Sequence, residues 1–167
     1  MPLVLPVGAL LAEGGEGFVR HGPERLQLVW TREVVVRVTP CDPSEARSSG
    51  ADARAMALWQ ELLRLQADPE AMDRLLVPST SAFRHRVLRA VMDLAVGTVV
   101  SYGSLAQRMG IPEACRAVAA AVASNTLAVV VPCHRVIRAD GTVGGYRWGV
   151  AAKLRLLEAE GIILGSP

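Results

Sequence analysis

A cysteine and a histidine stand side by side in Pro132-Cys133-His134-Arg135-Val136, at the end of the apolar run Val129-Val130-Val131. A thiol is a useful nucleophile only as its thiolate, and a neighbouring imidazole or cation is the partner that raises the thiolate fraction. Adjacency alone does not bring the two together, because successive side chains on an extended strand point to opposite faces. The pentapeptide must therefore turn, and the elements around it decide what the thiol does. Metal chemistry is not indicated. Cys41, Cys115 and Cys133 have no paired spacing, and His21 and His85 belong to no Cys-x-x-Cys or His-x-x-x-His pattern. An odd number of unpaired cysteines also argues against a disulfide framework and for a reducing compartment.

The elements that must position this turn can be read in outline. Residues 24–30 and 33–38 alternate as two strands, with a tight turn near Thr31-Arg32. Residues 40–52 read as a loop, and residues 53–66 as a helix with Met56, Trp59, Leu62 and Leu63 on its apolar side. A shorter helix over 69–76 and a linker, Val77-Pro78-Ser79-Thr80, follow. Beyond it Phe83, Val87, Leu88, Val91, Met92 and Ala95 repeat at helical spacing, with Ser79 or Ser81 as N-cap and Gly97 as the stop. Ser101 can cap a helix over 102–109, and Gly110 occupies a C′ position. Pro112 suits the first turn of the next helix, which reaches Ser124. Residues 127–131 read as a buried strand, and a last helix spans 149–160, stopped by Gly161.

This pattern predicts an α+β protein. A small N-terminal α/β subdomain (1–77) precedes a mainly helical domain (78–167) that holds a helix-turn-helix and the cysteine. At 167 residues, 51% of them hydrophobic, the chain can bury a substantial core. No apolar run is long enough for a bilayer-spanning helix, and no signal peptide is read at the N-terminus, which lacks a basic region and carries Pro2 and Pro6. Net charge is only +2, but residues 1–77 hold 8 basic and 11 acidic side chains, against 10 and 5 in residues 78–167. The second half is thus the half suited to a polyanion. Lys153 is the single lysine among the basic residues. Ala117, Ala119, Ala120, Ala121 and Ala123 would let the second helix of the pair approach a partner's backbone, or simply pack inside as good helix formers.

Taken together, residues 82–161 resemble the O6-alkylguanine-DNA alkyltransferases, also called methylated-DNA–protein-cysteine methyltransferases. The resemblance rests on the order and separation of several motifs: Ser101-Tyr102, Arg116-Ala117-Val118 with Asn125 downstream, Pro132 through Val136, Gly145-Tyr146-Arg147-Trp148-Gly149, and Lys153 with Leu156-Leu157. The glycine-bounded segment looks most like the C-terminal half of the bacterial adaptive-response protein. The N-terminal zinc cysteines of that protein have no counterpart here. Departures are Thr126, where many relatives have proline, Arg147 in place of a small hydroxyl residue, and a loosely matching start at residues 83–88.

The resemblance implies irreversible transfer of an alkyl group from guanine O6 to Cys133, with no cofactor and no metal. His134 would take the thiol proton through a water, and Glu160 would orient the imidazole. Tyr102 would donate to guanine N3. Arg116 would fill the stack vacated by a base flipped from the minor groove, with Ala117, Ala120 and Ser101 lying against the DNA. Val136, Gly145, Tyr146 and Arg147 would form the base pocket, including the backbone carbonyls of Cys133 and Val136, and Asn125 would support it. The implied partner is double-stranded DNA bearing alkylated bases, met by a cytoplasmic monomer. Guanine is not separated from O4-alkylthymine as substrate. An alkyltransferase-like binding protein is disfavoured by the presence of Cys133. A cysteine hydrolase or a plain transcription regulator leaves parts of the motif set unexplained.

Overall fold

The computed structural model describes residues 14–31, 35–41, 52–66 and 81–164. Three antiparallel strands, β1 (Gly15–His21), β2 (Glu24–Trp30) and β3 (Val35–Cys41), form one sheet in the order β1-β2-β3. On β2, Leu26, Leu28 and Trp30 are buried at alternate positions, so one face carries the core. The helix α1 (Asp52–Gln66) packs on this sheet through Ala55, Leu58, Trp59 and Leu62, a stripe at i, i+3, i+4 and i+7.

Several expectations shift here. β1 was not anticipated. The third strand runs from Val35 to Cys41 rather than over 33–38, so Pro40 and Cys41 leave the expected loop. Proline is tolerated because β3 is an edge strand and the N–H of Val38, two residues earlier, already points away from β2. Met56 is 40% exposed, because the helix is rotated to bury the larger indole of Trp59 beside Leu58. The predicted helix over 69–76 and the linker at 77–80 lie outside the described residues.

In the second half, α2 (Ala82–Met92) starts at Ser81, whose side chain accepts from the Arg84 N–H. It ends at Met92 with Asp93 as its cap, well before Gly97, which belongs to a later turn; Ala95 is exposed accordingly. A two-residue strand β4 (Val100–Ser101) leads into α3 (Tyr102–Arg108), where the Ser101 hydroxyl caps Ser104 N–H at 3.0 Å. Gly110 turns the chain with φ 74°, a conformation glycine adopts freely. Pro112 to Ala114 then form a 3-10 turn before α4 (Cys115–Ala123). A 3-10 turn over Cys133–Arg135 leads into β5 (Val136–Ile137), which pairs in parallel with β4. The chain closes with α5 (Val150–Ala159), capped by Glu160 and ended by Gly161 at φ 81°.

Residues 127–131 are buried but do not form the expected strand. They curl tightly, with Val131 N–H donating to Leu127 O at 2.9 Å and Val130 N–H to Ala128 O at 2.8 Å. Val129 is held at φ 69°, a costly backbone for a β-branched residue. The curl persists because its backbone groups have partners elsewhere. Asn125 bonds Leu127 and Val131. Val38 of β3 donates to Thr126 O and accepts from Ala128 N–H. One continuous buried cluster joins Leu26, Leu28 and Trp59 to Val87, Val122, Val130 and Leu156.

Candidate active site

The parallel contact of β4 with β5 sets the site's geometry. Val100 pairs with Val136 and Ser101 with Ile137, so the start of α3, Tyr102, is delivered beside the Cys133 turn. Cys133 is 5% exposed and opens into a cavity of about 360 Å³ whose walls include Tyr102, Ala119, Asn125, Tyr146 and Trp148. Asn125 is buried and acts as a local staple. Its Nδ2 donates to Cys133 Sγ at 3.0 Å and to Val131 O at 3.0 Å, while its Oδ1 accepts from Leu127 N–H at 2.9 Å. Burial pushes the thiol up from its ordinary value, opposed by the Asn125 hydrogen bond, by the nearby Tyr146 hydroxyl and by the charge on Lys153. The Tyr146 hydroxyl is buried without a conventional hydrogen bond, and its ring packs edge-on against Trp148 with centroids 5.1 Å apart. Burial, and then the neighbouring cysteine, also raise the Tyr102 phenol.

His134 faces the other way. It lines a second cleft, of about 680 Å³, together with Arg135, Glu160, His21 and Asp93, and it is absent from the lining of the first. Its Nε2 meets Glu160 Oε1 at 3.0 Å, and its Nδ1 is buried without a partner, so no direct hydrogen bond joins imidazole to thiol. Burial lowers the imidazole, with Glu160 pulling in the opposite direction. For Glu160, burial alone would raise the carboxyl. The hydrogen bonds from Arg135, His134 and the Gly97 N–H outweigh that and hold it at about 2. Glu158, only two residues earlier, is exposed.

Two residues the sequence reading left without a role carry much of this arrangement. Arg135 is 7% exposed and binds both carboxylate oxygens of Glu160, with Nη2 at 2.7 Å from Oε1 and Nε at 2.9 Å from Oε2. Lys153, the single lysine, is fully buried. It donates to Val136 O at 2.7 Å and Val143 O at 2.6 Å, with Nζ 5.9 Å from the Tyr146 ring centroid. Burial lowers Lys153 to about 8. A signal existed in its being the lone lysine amid arginines, but its carbonyl partners leave no trace in residue spacing.

Cys133, Asn125, Tyr102, Tyr146, Arg147 and Gly145 thus surround one pocket. Val136 does not line it, and its carbonyl is engaged by Lys153. Arg116, Ala117 and Ala120 lie on an exposed face of α4, while Ala119 and Ala123 of the same helix wall the pocket. Ser101 is half-buried as the cap of α3. Among the described residues no group of three or more His, Cys, Asp or Glu side chains could hold a metal ion. Among them no helix is long and apolar enough to cross a membrane.

A thiol pocket and a carboxylate-held imidazole thus lie on opposite sides of one turn, beside a small-residue helix face. Residues 82–162 match the family described as the 6-O-methylguanine DNA methyltransferase, DNA binding domain. The chain is 51% identical over 80 residues to the bifunctional transcriptional activator/DNA repair enzyme Ada of Escherichia coli, covering 48% of this chain and 23% of that one. It is 46% identical over 82 residues to a methylated-DNA–protein-cysteine methyltransferase of Shigella flexneri, covering 49% of this chain and 48% of the relative. The matched segment thus spans about half or less of these relatives. The likeness to solved structures reaches further. The Mycobacterium tuberculosis OGT in complex with DNA aligns with a TM-score of 0.61 at 27% identity, over 87% of this chain and 92% of that one. An O6-methylguanine-DNA methyltransferase from Pyrococcus kodakaraensis shares the fold, with a TM-score of 0.64 at 22% identity.

Proposed function

We propose that this protein repairs DNA by direct reversal, moving the alkyl group of O6-alkylguanine irreversibly onto Cys133. The observation that carries this reading is the buried thiol at the floor of a largely apolar pocket, walled on one side by α4, whose exposed face bears Arg116. Sulfur is a soft nucleophile suited to saturated carbon, and such chemistry requires the base to leave the stack.

In this mechanism the thiol proton passes through a water to Nδ1 of His134, the ring atom with no partner, while Glu160 holds Nε2 and stabilises the imidazolium. The sulfur pair forms the S–C bond as the C–O6 bond breaks, and its electrons pass to the guanine. Tyr102 protonates N3, and its phenol is restored through solvent, so one proton leaves sulfur and one reaches the base. The raised phenol remains a proton donor at neutral pH. Tyr146 and Arg147 flank the base, and Gly145 lets the covering loop pass close to it. The backbone carbonyl at Cys133 receives the exocyclic amino group. The product is a thioether, which water does not cleave, so the protein acts once as a suicide methyltransferase and the chemistry needs neither cofactor nor metal.

We read α3, the turn at Gly110 and α4 as a helix-turn-helix that meets duplex DNA from the minor groove. Arg116 replaces the flipped base, and Ala117, Ala120 and the Ser101 cap permit close approach. The domain boundary is assigned at 77/78, with the protein a cytoplasmic monomer. O4-alkylthymine presents the same alkyl–oxygen bond to the thiol, and the assay below run with that lesion tests it as an alternative substrate. The test is incubation with duplex DNA bearing O6-methylguanine, followed by peptide mass spectrometry. The Cys133 peptide is expected to gain one methyl, and folded protein whose Cys133 stays unmodified sinks the reading. Cys133→Ala should bind the lesion and leave it intact.

A further inference from the structure

Glu160 is shared unequally between its two basic neighbours. Arg135 makes three contacts to it, Nη2 to Oε1 at 2.7 Å and Nε to Oε1 and Oε2 at 3.1 and 2.9 Å, whereas His134 makes one at 3.0 Å. Gly97 N–H adds a fifth, to Oε2 at 3.2 Å. The guanidinium cannot swing aside, because its Nη1 donates to Leu94 O at 2.6 Å in the segment after α2. A buried carboxylate facing imidazole alone would draw a proton onto the ring in advance, and a ring already charged cannot accept the thiol proton. A guanidinium cannot be deprotonated, so its claim on the carboxylate is permanent.

We propose that Arg135 is a positioning residue that divides the charge of Glu160, keeping His134 an uncharged base until the thiol releases its proton. The proposal rests on the alkyl-transfer reading. It also accounts for the arginine following Cys133-His134, which the three-part proton path does not use. Among the described residues, His134 feels Arg135 from its own turn and Lys153 from α5, two cations that oppose ring protonation, and Glu160 from the cap of α5, which favours it. From the β1–β2 hairpin His21 faces the Glu160 charge, and Asp93 lines the same cleft.

The experiment is the single-turnover alkyl-transfer rate between about pH 5.5 and 8 for wild type, Arg135→Gln and Arg135→Lys. For Arg135→Gln the acid limb should move up by about one pH unit. That makes the variant roughly tenfold slower than wild type at the acid end, with recovery toward pH 8. Arg135→Lys keeps the charge, and its acid limb should stay with wild type even if the rate drops uniformly. Equal slowing of Arg135→Gln at every pH, as expected of a purely structural residue, overturns the proposal. Should Arg135→Gln not fold, imidazole-nitrogen NMR of wild type and Arg135→Lys without DNA decides the point, with His21→Gln and His85→Gln used to assign the three histidines. His134 neutral at pH 7 supports the division, and His134 protonated there overturns it. A neutral His134 in a protein that transfers no alkyl group at any pH would condemn the alkyl-transfer reading and leave the charge division standing.

Discussion

The two sides of the Cys133–Arg135 turn are built from different chemistry. The side that Cys133 faces is small, about 360 Å³, and is walled by aromatic rings, alanines and an amide, with Arg147 at its rim. The side that His134 faces is larger, about 680 Å³, and holds an arginine, two histidines and two carboxylates. The tight turn is what makes this possible, because it sends consecutive side chains to opposite walls while keeping them one residue apart. Nucleophile and base are thus separated by environment. The thiol keeps an apolar pocket for an uncharged base, and the imidazole keeps the charges that tune it. A direct thiol–imidazole contact would have put the ion pair inside the base pocket.

The largest effect is expected where the charged side is broken. Glu160→Gln leaves the buried guanidinium of Arg135 without its counter-charge, which should cost about 3 kcal/mol in urea unfolding at neutral pH. It should also slow alkyl transfer by about 10²–10³-fold. A loss under 1 kcal/mol would show that the cleft is better hydrated than the 3.0 and 2.7 Å contacts imply. On the pocket side, Asn125→Ala removes the staple and orphans buried backbone groups, for an expected cost of about 2 kcal/mol. Here the rate should fall while the acid limb set by His134 stays in place, because Asn125 donates to the thiol and not to the imidazole, and its loss moves only the thiol, upward. A shifted acid limb would blur the two sides into one.

Titration offers a subtler separation. Glu160 is held at about 2, below its ordinary 4.5, so its contribution is present above pH 4.5 and is lost as pH falls toward 2. Lys153 has the opposite history. Burial depresses it from 10.5 to about 8, so the folded state binds fewer protons than the unfolded one in that interval. Stability should therefore rise with pH above 8 until the unfolded chain's cysteine and then its tyrosines begin to ionise, because burial raises Cys133, Tyr102 and Tyr146 in the fold. Urea midpoints against pH should lose the acid limb in Glu160→Gln and the alkaline rise in Lys153→Met, each variant sparing the other limb. The smallest change is expected for His21→Gln. Its imidazole is lowered by burial and is neutral at pH 7, so stability there should stay within about 0.5 kcal/mol of wild type.

What the sequence made legible was local. Ser81 and Ser101 as caps, Gly110 and Gly161 as stops, and the strand over Glu24–Trp30 depend on neighbours within a few residues. What it hid depends on distant partners. Residues 127–131 are apolar enough for a strand, but Asn125 and Val38 satisfy their backbone and allow the curl. Arg135 has no role legible in its own segment until Glu160, 25 residues away, and Leu94, 41 away, are brought to it. Lys153 was visible as an oddity of composition and as part of the resemblance, but its role was not, because its partners are carbonyls that every residue possesses.

The contact between Val38 and residues 126–128 has a consequence beyond the site. β3 is an edge strand, and an open edge is a template on which another chain can extend a sheet. Val38 gives its outward N–H to Thr126 and takes that of Ala128, while Pro40 has none to offer. The segment that leads into the nucleophile's turn is therefore also the cover of that edge. Whatever loosens it, including a poorly tolerated substitution at Asn125, uncovers a strand ready to pair with a second molecule, so injury to the repair site should surface first as aggregation.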